Sequence, residues 1–122
     1  MKDCEKLLSY LMHSRTQTHI FHLQTKSYAE HIALNGFYDG IIGLTDGLAE
    51  SFQGKYGIVE NYSNFTLESY KDKEQLLNYF ETFGKMVEKM HSKFADDSYL
   101  QNQIDTILEL IYSTKYKIEF LG

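Results

Sequence analysis

Apolar residues recur every three or four positions over most of the chain, and this spacing predicts four helices. The predicted helices cover residues 3–24, 28–53, 72–94 and 98–120. One broad face of the first helix carries Cys4, Leu7, Leu8, Leu11, Thr18 and His22. The third helix has Leu76, Phe80, Phe83, Val87, Met90 and Phe94, and the fourth has Leu100, Ile104, Ile107, Ile111, Ile118 and Leu121. Such faces are typical of helices packed around a shared core.

Local signals indicate where the helices start and stop. The starts are marked by Asp3 as an N-cap, by a Ser27–Glu30 capping box, by Asp72, and by a Ser98–Gln101 capping box. Gly54 is expected to end the second helix, because glycine readily adopts the left-handed conformation of a C-cap. The absence of proline suits long uninterrupted helices.

The connections between the predicted helices differ in length. The links at 24–26 and 95–97 are short, so each joins an antiparallel helical hairpin. Residues 55–70 show no helical period and predict a long connection with at most one short helical turn. Two hairpins joined by one long crossover is the connectivity of ferritin-like four-helix bundles. We therefore expect residues 1–122 to form one all-α domain of this kind.

Three stripes run along the predicted second helix at about 100° per residue. The apolar stripe comprises Leu34, Phe37, Ile41, Leu44, Leu48 and Phe52. The polar stripe comprises His31, Asn35, Asp39, Asp46 and Glu50. The glycine stripe comprises Gly36, Gly40, Gly43 and Gly47. Each glycine costs a helix about 1 kcal/mol relative to alanine, so the stripe predicts close helix packing, partly in a homo-oligomer.

Composition narrows the possible partners and compartments. The net charge of -5 argues against a general affinity for nucleic acid or anionic membranes, which both require a basic surface. No stretch reaches the roughly 20 apolar residues of a membrane span. The single cysteine, Cys4, and the lack of a signal-peptide pattern favour a reducing, cytoplasmic location.

The segment from His22 to Glu50 resembles the ferroxidase region of the Dps family, small ferritin-like proteins that oxidise iron. The stretch HLQTKSYAEHIALNGFYDGIIGLTDGLAESFQGKYG is similar to a group of small Dps-like proteins carried by phages and bacteria. His22 and His31 match the family's two histidines, and Asp46 and Glu50 match its acidic pair. Asn35 stands where the family has an aspartate, and the link between the histidines is shorter.

The resemblance implies a site for a divalent metal, iron or zinc, formed by His22, His31, Asp46 and Glu50. In Dps-like proteins the histidines and the acidic pair come from different subunits, so the site would exist only in the oligomer. Asn35, Asp39 and His19 are candidate accessory residues. With Asn35 in place of a carboxylate, one ion rather than two is expected, and binding should weaken below about pH 6 as imidazole becomes charged.

Other interpretations of the same residues stay open. The histidines near the helix ends could simply favour a helix C-terminus, the acidic residues could form a solvated face, and His13 and His91 are expected at the surface. Two alternative functions follow. The protein could be a non-enzymatic phage oligomer that sequesters a small nucleotide-like host molecule, or a structural oligomer whose metal site has decayed. If the chain is encoded by a phage, its location is the cytoplasm of the bacterial host.

Overall fold

The chain folds into four long helices. The structure is a computed structural model that describes residues 2–122. The helices are α1 (Lys2–Gln24), α2 (Tyr28–Tyr56), α3 (Lys73–His91) and α4 (Ser98–Phe120), with a short 3-10 turn at Ser92–Phe94. No strand occurs in this part of the chain, so the all-helical prediction is confirmed. None of the helices described is long and apolar enough to cross a membrane.

One hydrophobic core lies between the helices. The predicted apolar faces of α1, α2 and α3 point into it, with Leu44 half-buried and the other positions buried. Phe37 and Phe80 are fully buried and meet edge to face, with ring centroids 5.2 Å apart. Leu121 does not belong to the core, because α4 ends at Phe120 and the leucine is 55% exposed.

Three predicted helix ends are wrong. The third helix, predicted to reach residue 94, ends at His91, and the 3-10 turn at Ser92–Phe94 follows it. The first helix already includes Lys2, so Asp3 lies in its first turn instead of capping it. The second helix continues through Gly54 and ends at Tyr56. Gly57 has a φ of 97° and donates its backbone N–H to the Gln53 carbonyl, so it supplies the cap expected of Gly54.

The two predicted capping boxes have different outcomes. Ser27 is the N-cap of α2, and its hydroxyl accepts the Glu30 backbone N–H at 3.2 Å. The box closes indirectly, because the Ser27 N–H donates to the Thr25 hydroxyl, which donates to the Glu30 carboxylate.

The capping box predicted for α4 is wrong. Ser98 is the first helical residue, Asp97 precedes it as N-cap, and the Gln101 amide donates to the His91 carbonyl. The Asp97 side chain does not cap the helix, since its carboxylate accepts hydrogen bonds from Lys55 and Tyr56.

Residues 57–72, the connecting segment, contain no helical turn and run beside α1. Their contacts pair Asn61 with Glu5, Ser63 with Ser9, Thr66 with His13, Glu68 with Gln17, and Tyr70 with Gln24. Two residues of extended chain advance roughly 6.6 Å, close to the 6 Å or so that four helical residues rise. Polar side chains spaced about one turn apart on α1 can therefore hold successive parts of the segment.

The connecting segment links the two hairpins over a long distance. The first hairpin is α1–α2 and the second is α3–α4, and α2 also packs on α4. The α2–α4 packing is antiparallel, because Gly40 lies against Leu110 and Ser51 accepts from Gln103. Since α3 and α4 are also antiparallel, α2 and α3 run in the same direction.

Candidate functional site

Two imidazole rings lie face to face at the turn of the first hairpin. The rings of His22, near the end of α1, and His31, near the start of α2, are 3.7 Å apart between centroids with 19° between their planes. His22 is 7% exposed. Nδ1 of His22 lies 2.8 Å from the His31 carbonyl, and Nδ1 of His31 lies 2.9 Å from the His22 carbonyl. We call these two residues the histidine pair.

The reciprocal bonds determine where the protons lie on the histidine pair. A carbonyl oxygen can only accept a hydrogen bond, so both Nδ1 atoms must be donors. In the neutral imidazole the other nitrogen, Nε2, then carries a free lone pair. A histidine that donates one N–H to a backbone carbonyl is oriented in the way commonly seen for metal ligands. The histidine pair therefore presents two oriented Nε2 atoms whose lone pairs could bind a metal ion.

Aromatic and polar side chains surround the histidine pair. The ring of His19 stacks on Tyr38 at 4.4 Å, and Tyr38 meets His22 edge to face at 5.2 Å. The Tyr38 hydroxyl donates to the Asn35 amide oxygen at 2.8 Å, and the Asn35 amide donates to Asp39 at 3.1 Å. An aspartate at position 35 would lose this donor and place two carboxylates one turn apart, which gives a physical reason for asparagine there.

The buried carboxylate of Glu30 secures the same end of the hairpin. Glu30 is 6% exposed and accepts hydrogen bonds from the hydroxyls of Thr25 and Tyr70. Tyr70 lies near the end of the connecting segment, so this carboxylate ties the segment to the turn that positions the histidine pair.

A single chain does not bring together all four predicted metal ligands. Asp46 and Glu50 are exposed on α2, and 15 positions separate His31 from Asp46. At a rise of about 1.5 Å per residue, that spacing is roughly 22 Å along the helix. Across residues 2–122, no three side chains of His, Cys, Asp or Glu converge to hold a metal ion.

The predicted glycine stripe divides into two pairs. A Cβ atom on Gly40 would lie 3.2 Å from a methyl carbon of Leu110, and one on Gly47 would lie 3.7 Å from the Gln103 amide nitrogen. These two glycines face α4 within the chain. A Cβ on Gly36 or Gly43 would meet nothing within 4 Å, so those two face open space.

The remaining histidines make contacts of their own. His13, predicted at the surface, is half-buried under the connecting segment, with its Nε2 2.8 Å from the Thr66 carbonyl and its ring 5.2 Å from that of Phe65. His91 lies 3.1 Å from a carboxylate oxygen of Asp105.

Sequence reasoning missed Gln17, which is fully buried. Its amide nitrogen donates to the Glu68 carbonyl at 2.8 Å, and its amide oxygen accepts the Glu68 N–H at 2.7 Å. The available signal was a glutamine adjoining an apolar helix face, but its partner lies 51 positions away.

The fold and the site together describe the class of protein: four packed helices with two imidazoles at the turn of the first hairpin. Within that class, the chain belongs to the family described as "Family of unknown function (DUF5856)", whose model matches residues 22–118. The matched range includes His22, His31, Asp46 and Glu50. No curated protein and no solved structure matches the chain.

Proposed function

We propose that this protein is a Dps-like, ferritin-like oligomer that binds a divalent metal ion. The histidine pair of one copy would supply two ligands, and Asp46 and Glu50 of another copy would supply the acidic ones. Iron and zinc both suit a mixed set of imidazole and carboxylate ligands. If the bound ion were ferrous iron, its oxidation to ferric iron would pass one electron to an external acceptor such as dioxygen.

The observation that carries the proposal is the pair of reciprocal Nδ1 hydrogen bonds between His22 and His31. They hold both rings by backbone groups and leave both Nε2 atoms as potential ligands.

The exposed face of α2 supports a partner copy in one particular arrangement. An antiparallel α2–α2 pairing centred between Tyr38 and Asp39 would set His31 opposite Asp46 of the second copy. The same register would pair position 36 with position 41, so Gly36 would lie one position from Ile42 of the second copy, whose side chain is 48% exposed. Because a Cβ on Gly36 would meet nothing in its own chain, this glycine leaves room for the isoleucine.

The helix directions favour a ferritin-like bundle. The two hairpins are joined by one long connecting segment, and α2 and α3 run in the same direction, which is the arrangement expected of a single-crossover bundle. Asn35 binds Asp39 in place of a further acidic ligand. We therefore expect one well-held ion at each site and slow ferroxidase turnover.

Mixing two defective variants tests the shared site. One variant is His22→Ala/His31→Ala and the other is Asp46→Ala/Glu50→Ala. Each alone should bind no iron or zinc in calorimetry. The two variants are then unfolded together and refolded to form mixed dimers. Each mixed dimer should regain one of its two sites, because the intact histidine pair of one copy faces the intact acidic pair of the other.

A matched control removes the same number of carboxylates as Asp46→Ala/Glu50→Ala but leaves the proposed ligands in place. The variant Glu60→Ala/Glu109→Ala removes two exposed carboxylates elsewhere and should bind metal as the wild type does. Absence of metal binding by the wild type at neutral pH would overturn the proposed function. Binding by either ligand variant alone would overturn the shared site.

A further inference from the structure

A groove of about 710 Å³ lies between α1, α3 and the end of the connecting segment. It is distinct from the histidine pair, which lies between α1 and α2. Pockets of roughly 300–1,000 Å³ commonly hold small molecules. The groove exists because α1 and α3 approach each other closely at few positions, while the connecting segment occupies the space beside α1.

Aromatic rings form the apolar walls of the groove. Tyr10 contributes from α1, and Tyr79 and Phe83 contribute from α3. Tyr79 is held by an edge-to-face contact with Phe21 at 5.8 Å and by the ring of Phe83 at 5.9 Å. A ring fixed in this way presents a defined surface to a bound group.

Carboxylates line the groove beside these rings. Glu68, Asp72 and Glu74 all contribute, against one lysine, Lys71. Within residues 2–122, none of the three carboxylates forms an ion pair with a lysine, arginine or histidine. Glu68 lines the same groove as Tyr79. Burial, and then the negative charge of Glu68, raise the pKa of the Tyr79 phenol.

We propose that this groove binds a small organic cation, an ammonium group on an aromatic or apolar body. The aromatic faces of Tyr10 and Tyr79 attract a cation through their quadrupoles, and Glu68 supplies the opposite charge. The apolar body would lie against Phe83 and Met86, which also line the groove.

The same charges disfavour a phosphorylated ligand. Three carboxylates against one lysine repel a phosphate group. A nucleotide-like ligand, considered from the sequence, would therefore be a poor fit here, whereas an amine with an aromatic ring would be favoured.

Three ligands of similar shape and different charge test the proposal by NMR titration of backbone amides. The probes are 2-phenylethylamine, the neutral 2-phenylethanol and the anionic 3-phenylpropionate. We expect the amine to shift the amides of Tyr79 and Phe83 and to bind about fivefold or more tightly than the alcohol. The carboxylate should not bind.

A charge-removing variant identifies the group responsible. Glu68→Gln should reduce the affinity for the amine to that for the alcohol. The fold should survive, because the backbone groups of Glu68, and not its side chain, bind Gln17. Glu74→Gln, on the exposed first turn of α3, is a second variant and should weaken amine binding less. Glu60→Gln removes the same charge from an exposed part of the connecting segment and should leave amine binding unchanged.

Two results would overturn the proposal. One is equal binding of the amine, the alcohol and the carboxylate, which would make the groove merely hydrophobic. The other is the absence of shifts at Tyr79 and Phe83 with the amine at about 10 mM, where even weak ligands bind measurably. Either result leaves the metal site unaffected, since the histidine pair is separate from the groove.

Discussion

The two hairpins differ in what they bury. In α1–α2 the buried residues include seven polar ones: Ser9, Ser14, Gln17, Thr18, His22, Glu30 and Thr45. In α3–α4 only two buried polar residues occur among the positions described: Asp97 in the turn and Thr114 in α4. The second hairpin is thus mainly a hydrophobic support, whereas the first combines core packing with directed hydrogen bonds.

The connecting segment accounts for part of this difference. The segment lies on α1 and covers a side of that helix that would otherwise meet water. Polar side chains on this side must therefore form hydrogen bonds with the backbone groups of the segment. Ser9, His13 and Gln17 do so. The histidine pair instead follows from the short turn of the hairpin, which brings the end of α1 next to the start of α2.

The largest expected effect comes from truncating the hydrophobic support. Phe80→Ala should lower the free energy of unfolding by about 3–5 kcal/mol, because it leaves a cavity in the core. Phe80 is fully buried, and its ring lies 5.2 Å from Phe37 and 5.5 Å from Tyr79. Urea unfolding measures the change. Phe120→Ala, at a residue 67% exposed, should change the free energy of unfolding by about 0.5 kcal/mol or less. Similar losses for both variants would contradict the placement of Phe80 in the core.

Removing the buried amide of α1 should have a smaller effect. Gln17→Ala deletes both hydrogen bonds to Glu68 and should cost about 1–3 kcal/mol. It should also speed proteolysis within the connecting segment, since one anchor is lost. Gln24→Ala, which deletes one exposed bond to Tyr70, is the matched comparison and should cost less. Unchanged proteolysis in Gln17→Ala would mean that other contacts hold the segment.

The junction between the hairpins should respond to acid. Hydrogen bonds from Lys55 and then Tyr56 lower the pKa of Asp97. Because the pKa of Asp97 is lower in the folded state, its carboxylate stabilises the fold at pH values above the unfolded-state pKa of about 3.9. This contribution disappears as the pH falls through the folded-state pKa. Asp97→Asn should therefore be less stable than the wild type at pH 7, with a smaller difference near pH 3. A difference independent of pH would contradict this origin.

The smallest effect on the single chain is expected from the glycines. Gly43→Ala should raise stability by up to about 1 kcal/mol, because alanine favours a helix and the position faces open space. Gly40→Ala should gain less, since its Cβ would crowd Leu110 at 3.2 Å. Thermal unfolding compares them.

Larger side chains at the same two positions test association. Gly43→Leu should change the mass in solution by filling the space left for a partner helix, which light scattering measures. Gly40→Leu is less informative, because it disturbs α4 within the chain. An unchanged mass for Gly43→Leu would contradict an interface on this face.

The sequence predicted α3 and the apolar stripe of α2 well, because their regular spacing reports burial directly. It predicted the end of α2 wrongly, since both Gly54 and Gly57 can end a helix and only tertiary structure selects one. The prediction of a Ser98–Gln101 capping box was wrong for a similar reason. Asp97 is held by Lys55 and Tyr56, which lie more than 40 positions away in the sequence.

For the candidate site, the sequence correctly placed the two histidines near the turn of one hairpin. It could not show their stacking, their reciprocal bonds or the Asn35–Asp39 bond, because these depend on side-chain geometry. The distance from His31 to Asp46 follows from helix geometry alone, and it makes a partner copy a requirement of the proposed site.

Native mass spectrometry of the wild-type protein purified with iron or zinc tests the central claim most directly. It reports the number of ions in each oligomeric form. The account predicts metal-bound dimers or larger assemblies with one ion per chain, and metal-free monomers. A monomer that retains the ion, or an oligomer that never takes one up, would contradict a metal site shared between the histidine pair of one copy and the acidic pair of another.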